Sequence, residues 1–246
     1  MNTSSANTSP WRIVCDFDGT ITPFDVTDAI LGKFAHPSWE NVEREWLAGK
    51  ITARACMGTQ AALIRTPLHT LDSFLESVPI TDGFRDFARL CASRGLSLTV
   101  VSDGFDYAIK RILSRHRLGD IPVIANRLHC VGGSGYKLEF PYGIDGCASG
   151  VCKCGVAEAM GGTTLLIGDG LSDCCVAGMA SLVMAKRGQA LQRRCEAEKY
   201  PFKTFDDFFD VLGMLDDATQ SQPGSGAWVT AERGPAQGIC RPEHLS

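Results

Sequence analysis

The chain has 246 residues, of which 44% are hydrophobic and 21% charged, and its formal net charge is −4. This composition is typical of a folded globular protein that is long enough for one core plus a smaller subdomain. The chain lacks the clustered Lys and Arg of nucleic-acid-binding proteins, and no run approaches the ~20 apolar residues of a membrane span. We therefore predict neither a nucleic-acid partner nor a membrane partner.

The N-terminus and the cysteines indicate the compartment. The first ten residues have neither a basic start nor an apolar run, and so do not resemble a signal peptide. The eleven cysteines are an odd number, and Cys15 and Cys91 lie in apolar runs, where a free thiol behaves as a small hydrophobe. We therefore expect reduced thiols and a cytoplasmic protein.

Five short apolar runs, in chain order, predict the strands of one sheet. They span residues 11–15, 96–101, 121–125, 164–167 and 182–185. Apolar residues at helical spacing predict helices between these strands, over 84–91, 107–113, 156–160 and 174–179. Strands that alternate with helices are typical of a parallel sheet covered on both faces. We therefore predict an α/β fold with a Rossmann-like parallel sheet.

Two segments interrupt this alternation. The segment 23–79 is far longer than the usual loop of ~4–6 residues and carries three helical patterns, which predicts an inserted helical cap after the first strand. The segment 127–152 contains an alternating Tyr-x-Leu-x-Phe pattern and predicts a β-hairpin with a loop. The predicted organisation is an N-terminal tail (1–10), a core (11–22 and 80–216), the cap (23–79) and a flexible C-terminal tail (217–246).

Acidic residues follow two of the predicted strands. Asp16 and Asp18 are two residues apart, so an extended backbone directs both side chains to one side. Asp169 and Asp173 follow the strand 164–167 and are one helical turn apart. Like charges brought together at one sheet edge repel each other, and a hard divalent cation with oxygen ligands relieves that repulsion. The pattern therefore predicts a Mg²⁺ site.

A second group of residues is suited to bind an anion. Ser102 and the backbone amides of Asp103 and Gly104 are predicted to lie where a strand meets a helix N-terminus, which favours an anion. Lys153 adds a positive charge at another predicted helix start. Each of these features alone is common turn or capping chemistry, but their joint order along predicted parallel strands favours a phosphate site.

The ordered motifs resemble those of the haloacid dehalogenase superfamily of phosphatases. The residues that carry this resemblance are 16–22, Ser102, Lys153 and 168–173. The insertion after the first motif is similar to the helical cap of the phosphoserine phosphatase type. Residues 34–39 and 82–87, with the cysteine-rich approach to Lys153, resemble the methionine-salvage phosphatases of the superfamily. The resemblance covers residues 11–215.

This resemblance implies a Mg²⁺-dependent phosphomonoester hydrolase that acts on a small phosphorylated metabolite. Asp16 would be the nucleophile that forms an aspartyl-phosphate, and Asp18 the general acid and base. Asp16, the Asp18 carbonyl and Asp169 would bind Mg²⁺, with Asp173 binding through water or orienting the other ligands.

Substrate recognition is expected from the cap, because the core binds only the phosphate. Phe24 and Asp25 lie just past the first motif and would face the leaving group. Asp25 would suit a hydroxyl or an amine, although it could equally cap the helix that begins near Val26.

Alternative functions remain open at this point. A phosphotransferase or phosphomutase would use the same intermediate, and a non-catalytic protein could bind a phosphometabolite. A hydrolytic dehalogenase is disfavoured because it needs neither Asp18 nor Mg²⁺. Four cysteines lack the paired spacing of structural zinc sites, so zinc is not predicted at Cys130, Cys147, Cys152 and Cys154. The sequence predicts no oligomeric state.

Overall fold

The chain forms one seven-stranded sheet in the order β4-β3-β2-β1-β5-β6-β7 within the described residues. A computed structural model describes residues 11–220, with side chains to residue 215. The strands are β1 (Trp11–Cys15), β2 (Ser97–Phe105), β3 (Val123–Val131), β4 (Gly135–Glu139), β5 (Thr163–Gly168), β6 (Leu182–Lys186) and β7 (Phe202–Phe205). All neighbours pair in parallel except β4, which pairs antiparallel with β3 at one edge. The predicted Rossmann-like α/β fold is confirmed, with one antiparallel edge strand.

Ten α-helices lie within residues 11–220. They are α1 (Val26–Phe34), α2 (Trp39–Leu47), α3 (Ala53–Leu63), α4 (Leu68–Leu75), α5 (Phe84–Ser93), α6 (Asp106–Arg115), α7 (Lys153–Met160), α8 (Cys174–Ala177), α9 (Ala190–Glu198) and α10 (Phe208–Gln220). Helix α10 continues four residues into the stretch 217–246 that was predicted to be a flexible tail. The remainder of that stretch and the predicted tail 1–10 lie outside the described residues.

The predicted elements are present with shifted ends, and four elements were not predicted. These four are α4, α9, α10 and β7, of which β7 has only four residues and α9 buries only Leu191 and Cys195. Another difference concerns the predicted phosphate-binding residues. Strand β2 continues to Phe105 and α6 begins at Asp106, so 102–104 lie in a strand and not at a helix N-terminus.

The sheet is covered on both faces because its strands alternate apolar side chains between them. Ile13 and Cys15 of β1 belong to one hydrophobic cluster, whereas Val14 belongs to a second cluster on the opposite face. The first cluster contains buried residues of α1, α5, α6 and α10, and the second contains those of α7, α8 and α9. Near-continuous burial of the central strands follows from this arrangement.

Helices α1 to α4 connect β1 to α5 and share the first hydrophobic cluster through residues such as Ile30, Ile64 and Leu71. The two ends of this insertion are tied together, because the Thr81 amide donates to the Ile21 carbonyl at 2.7 Å. On the opposite side, Arg54 of α3 donates to the carbonyl of Ile144 at 2.8 Å. The helical insertion therefore packs on the core and on the loop that follows the β3–β4 hairpin.

Two further properties concern the described part of the chain. No helix among residues 11–220 combines the length and the apolarity needed to cross a bilayer. Ten cysteines lie in the same range, and the sulfur atoms of Cys152 and Cys154 lie 3.5 Å apart.

The order of strands places the crevice for a ligand. Strand β1 lies between β2 and β5, and the strand order reverses there, since the chain continues from β1 to β2 on one side and from β5 to β6 on the other. In open parallel sheets, ligands bind beyond the carboxyl ends of the strands at this point. Asp16 follows β1, Asp169 follows β5 and Ser102 lies in β2, so all three meet at this edge.

Candidate active site

A buried lysine links two of the predicted acidic residues. The ammonium of Lys153 lies 2.9 Å from Asp16 Oδ1 and 2.7 Å from Asp173 Oδ1. Lys153 is the first residue of α7 and is only 1% exposed. Burial alone would lower the pKa of Lys153, but the charges of Asp16, Asp173 and Asp103 raise it well above its usual value. The lysine is therefore charged and holds the two carboxylates together.

Three carboxylates converge as a group that can hold a metal ion. One ligand atom from each of Asp16, Asp169 and Asp173 lies within 4.8 Å of the others, the one such group of three among the described residues. Thr20 donates its hydroxyl to Asp169 Oδ1 at 2.8 Å and so orients that carboxylate. Burial and the charge of Asp173 raise the pKa of Asp169 to about 6. Three carboxylates facing one ammonium leave an excess of negative charge that fits a hard divalent cation such as Mg²⁺.

Asp173 is occupied by hydrogen bonds from the protein. Its Oδ2 accepts from the backbone amides of Asp169 at 3.2 Å and Gly170 at 3.1 Å, while Oδ1 accepts from Lys153. A Cβ on Gly168 would lie 2.3 Å from Asp173 Oδ2, so this close approach requires glycine. Asp173 is therefore suited to orient Asp169 and Lys153, the second of the two roles predicted for it.

Asp18 is held by the start of the first helix. Its Oδ1 accepts from the Val26 amide at 2.9 Å, and its Oδ2 accepts from the Thr27 hydroxyl at 3.2 Å. Burial and the nearby charge of Asp25 raise the pKa of Asp18 well above its ordinary value. A raised pKa favours the protonated form of the carboxyl group, which is the form that a general acid needs.

The predicted phosphate-binding residues of β2 differ in their contacts. The Ser102 hydroxyl accepts from the Gly104 amide at 3.0 Å, and a Cβ on Gly104 would lie 2.6 Å from Asp18 Oδ2. Asp103 Oδ1 accepts from the Val151 amide at 2.6 Å, so its carboxylate anchors the turn before Lys153. Gly104 therefore provides the space that Asp18 needs, and Asp103 positions the loop that leads to the lysine.

A cavity of about 360 Å³ opens at this edge of the sheet. Asp16, Asp18, Ser102, Asp103, Gly104 and Asp169 line it from the core side.

The two predicted cap residues, Asp25 and Phe24, differ in whether they reach this cavity. Asp25 lines the cavity and also caps α1, since its side chain accepts from the Asp28 amide at 2.8 Å. Phe24 is not among the lining residues; it is 40% exposed, and its carbonyl accepts from the Gly19 amide at 3.2 Å.

Sequence reasoning missed several residues that hold the acidic groups and the first motif in place. Thr20 and Thr27 orient carboxylates through their hydroxyl groups, and Lys186 donates to the Gly19 carbonyl at 2.8 Å. Thr20 lies within the first motif, which could have indicated it. Lys186 is brought in by β6 from a distant part of the chain. Only the three-dimensional structure reveals its contact.

The geometry and the fold define a class of hydrolases. The family model of haloacid dehalogenase-like hydrolases matches residues 13–178, so the chain belongs to that family. It is 31% identical over 218 residues to a 2-hydroxy-3-keto-5-methylthiopentenyl-1-phosphate phosphatase of Brevibacillus brevis, covering 85% of this chain and 96% of the relative. It is also 31% identical over 215 residues to the phosphatase of that name from Geobacillus kaustophilus, covering 82% and 94%. The chain is accordingly a phosphatase, as the motifs predicted.

Solved structures support the same fold. A phospho-aspartyl intermediate analogue of phosphoserine phosphatase superposes with a TM-score of 0.63 at 22% identity, covering 82% of this chain and 97% of that chain. A haloacid dehalogenase-family hydrolase from Salmonella enterica gives a TM-score of 0.68 at 18% identity, covering 85% and 72%.

Proposed function

We propose that this chain is a Mg²⁺-dependent phosphomonoester hydrolase that acts on a small phosphorylated metabolite through an aspartyl-phosphate formed on Asp16. The contact between Asp16 Oδ1 and the buried ammonium of Lys153, at 2.9 Å, carries this proposal. It joins a carboxylate nucleophile to a cation that can hold the phosphoryl group. Asp18 lines the same cavity two residues further along the chain.

In the first step, the Asp16 carboxylate attacks the phosphorus and the bond from phosphorus to the leaving oxygen breaks. Asp18 gives its proton to that oxygen, so the product leaves as an alcohol. Lys153 and the Ser102 hydroxyl hold the phosphoryl oxygens, while the Gly104 amide orients that hydroxyl and Asp103 keeps the loop before Lys153 in place.

In the second step, water attacks the phosphorus of the aspartyl-phosphate and Asp18 takes a proton from that water. The bond between phosphorus and Asp16 breaks, which releases inorganic phosphate and restores the Asp16 carboxylate. Asp16, Asp169 and the Asp18 carbonyl would hold Mg²⁺, with Asp173 orienting them. The bound ion supplies neutralisation of the charge between carboxylate and phosphate.

Phosphate release from a panel of phosphomonoesters, with Mg²⁺ and with EDTA, tests this proposal. The panel includes the substrate named for the Brevibacillus relative, phosphoserine, sugar phosphates, glycerol phosphates and an aryl phosphate. We expect Mg²⁺-dependent release that Asp16→Asn abolishes and Asp18→Asn lowers by about 10²–10⁴-fold. Asp120→Asn, which changes an exposed aspartate, is the matched control and should leave the rate unchanged.

Two other results would separate the alternatives. Transfer of phosphate to an added acceptor alcohol in preference to water would indicate a phosphotransferase. Binding of phosphomonoesters without release from any of them would contradict hydrolysis and support a binding protein. Cysteines buried in the hydrophobic core, such as Cys15 and Cys91, favour a reducing compartment such as the cytoplasm.

A further inference from the structure

The cap side of the cavity carries three carboxylates. Asp25 and Asp28 at the start of α1 and Glu43 in α2 all line it. Among the described residues that line this cavity there is no lysine or arginine. Lys153 lies behind this lining, 2.9 Å from Asp16 Oδ1, and is the predicted partner of the phosphate. The carboxylates of the cap therefore face whatever is attached to the phosphate.

Glu43 is fixed in place by buried partners. The Gln60 amide donates to Glu43 Oε2 at 2.7 Å, and the Cys56 thiol donates to the same oxygen at 3.5 Å. Gln60 is only 4% exposed and Cys56 only 2%. Because Gln60 is buried and donates to the Glu43 carboxylate, it holds that carboxylate at the cavity wall.

Apolar and aromatic residues complete the same wall. Trp46 of α2 and Met57 of α3 line the cavity beside Glu43. An indole ring attracts cations through its quadrupole, and the combination of aromatic and carboxylate groups is suited to ammonium and quaternary ammonium ligands. Neither group suits an anionic leaving group, which the three carboxylates would repel.

We propose that the cavity selects phosphomonoesters whose leaving alcohol carries an ammonium or quaternary ammonium group, with Glu43 as the specificity-determining residue and Asp25 and Asp28 assisting it. This inference rests on the proposed function, from which it takes the binding of the phosphate group. Burial, and then the charges of Asp25 and Glu43, raise the pKa of Asp28 to about 6, and a bound cation would relieve the part of this shift that comes from repulsion.

The test compares two esters of nearly the same shape. Phosphocholine carries a quaternary ammonium group, and 3,3-dimethylbutyl phosphate replaces its nitrogen with carbon and so removes the charge. We expect kcat/KM to be at least tenfold higher for phosphocholine. Glu43→Gln should reduce this preference to threefold or less, mainly by raising KM for phosphocholine, with little change for the neutral ester. Glu45→Gln, on the exposed part of the same helix, is the matched control and should retain the preference.

Equal or better turnover of the neutral ester would overturn the inference, as would an equal loss on both esters in Glu43→Gln. Calorimetric binding of both esters to Asp16→Asn gives a readout that does not need turnover. If no ester is hydrolysed by the unmodified protein, the proposed function fails, but a tenfold tighter binding of phosphocholine still supports charge selection. Equal binding of the two esters contradicts it.

Discussion

The ammonium of Lys153 and the carboxylate of Asp173 lie 2.7 Å apart, and both side chains are fully buried. Removing one partner of a buried ion pair leaves an uncompensated charge, which typically costs about 3–5 kcal/mol. Lys153→Met should therefore lower the free energy of unfolding by about that amount, measured by urea denaturation. It should also lower kcat/KM by about 10²–10³-fold, because a preorganised positive group is lost.

The matched control for this lysine is Lys137→Met, since the Lys137 side chain is 68% exposed and faces Glu139 at 3.5 Å. An exposed pair contributes about 0–1 kcal/mol, so this variant should remain close to the unmodified protein. Comparable losses in both variants would contradict a special role for Lys153.

The main effect of Gly19→Ala should be displacement of the acidic group, and backbone strain should be the smaller effect. Gly19 has a φ of +71°, and a Cβ there would lie 2.5 Å from Asp169 Oδ2. We expect displacement of Asp169, a loss of Mg²⁺ affinity of at least tenfold by calorimetry, and a parallel loss of activity. Gly49→Ala has the same kind of φ, +68°, with nothing within 4 Å of its Cβ. It should show only the strain of a positive φ, about 1–2 kcal/mol, with Mg²⁺ affinity unchanged.

Neighbouring phenylalanines of α10 should differ sharply in their effect on stability. Phe208 is fully buried, with ring centroids 4.8 Å from Phe84 and 5.3 Å from Phe87, whereas Phe209 is 57% exposed. Phe208→Ala should cost about 3–5 kcal/mol of unfolding free energy. Phe209→Ala should stay within about 0.5 kcal/mol. Similar denaturation midpoints for the two variants would show that α10 does not pack as described.

Stability should depend on pH through Asp28. Its pKa is raised to about 6 by burial and by the charges of Asp25 and Glu43, so between about pH 4 and 6 the folded state binds a proton that the unfolded state has released. The free energy of unfolding therefore falls as the pH rises through this window. Asp28→Asn should be more stable than the unmodified protein above pH 6, by about 0.5 kcal/mol after solvent screening. The difference should disappear below pH 4.

Denaturation with urea at several pH values measures this difference. In the Glu43→Gln background the gain from Asp28→Asn should shrink, because one of the neighbouring charges is already absent. If Asp28→Asn raised the free energy of unfolding by the same amount from pH 4 to pH 8, charge repulsion would not explain the gain, and a change in helix propensity would.

The sequence predicted the sheet edge well because the residues that form it follow short, strongly apolar strands. Asp16 and Asp169 directly follow β1 and β5, which pair with each other, and their positions after two predicted parallel strands already indicated a shared carboxylate group. The sequence prediction ended β2 at residue 101, but the strand continues to Phe105. Ser102, Asp103 and Gly104 are residue types that occur both in turns and in extended strands, so the sequence did not reveal where the strand ends.

The cap wall of the cavity could not be predicted in the same way. Glu43 lies on α2, which has no fully buried residue, so its sequence reads as a solvated helix face. Its partners Gln60 and Cys56 lie on another helix, and only the packing of α2 on α3 brings them together. Phe24 was predicted to face the substrate from its proximity in sequence, but it is not among the residues that line the cavity, and its carbonyl accepts from the Gly19 amide.

The hydrogen bonds of Arg54 constrain how the cavity opens. Arg54 ties α3 to the carbonyls of Ile144 and Cys147, and the Cys152 amide donates back to Tyr142 in the same loop. An outward swing of α3 would therefore pull on the segment that ends in Lys153. Helix α2 is itself bonded to α3, because the Glu43 carboxylate accepts from the Gln60 amide. Displacement of either helix would therefore be transmitted to the loop before Lys153, so recognition of the alcohol by the cap and binding of the phosphate by the lysine are mechanically coupled.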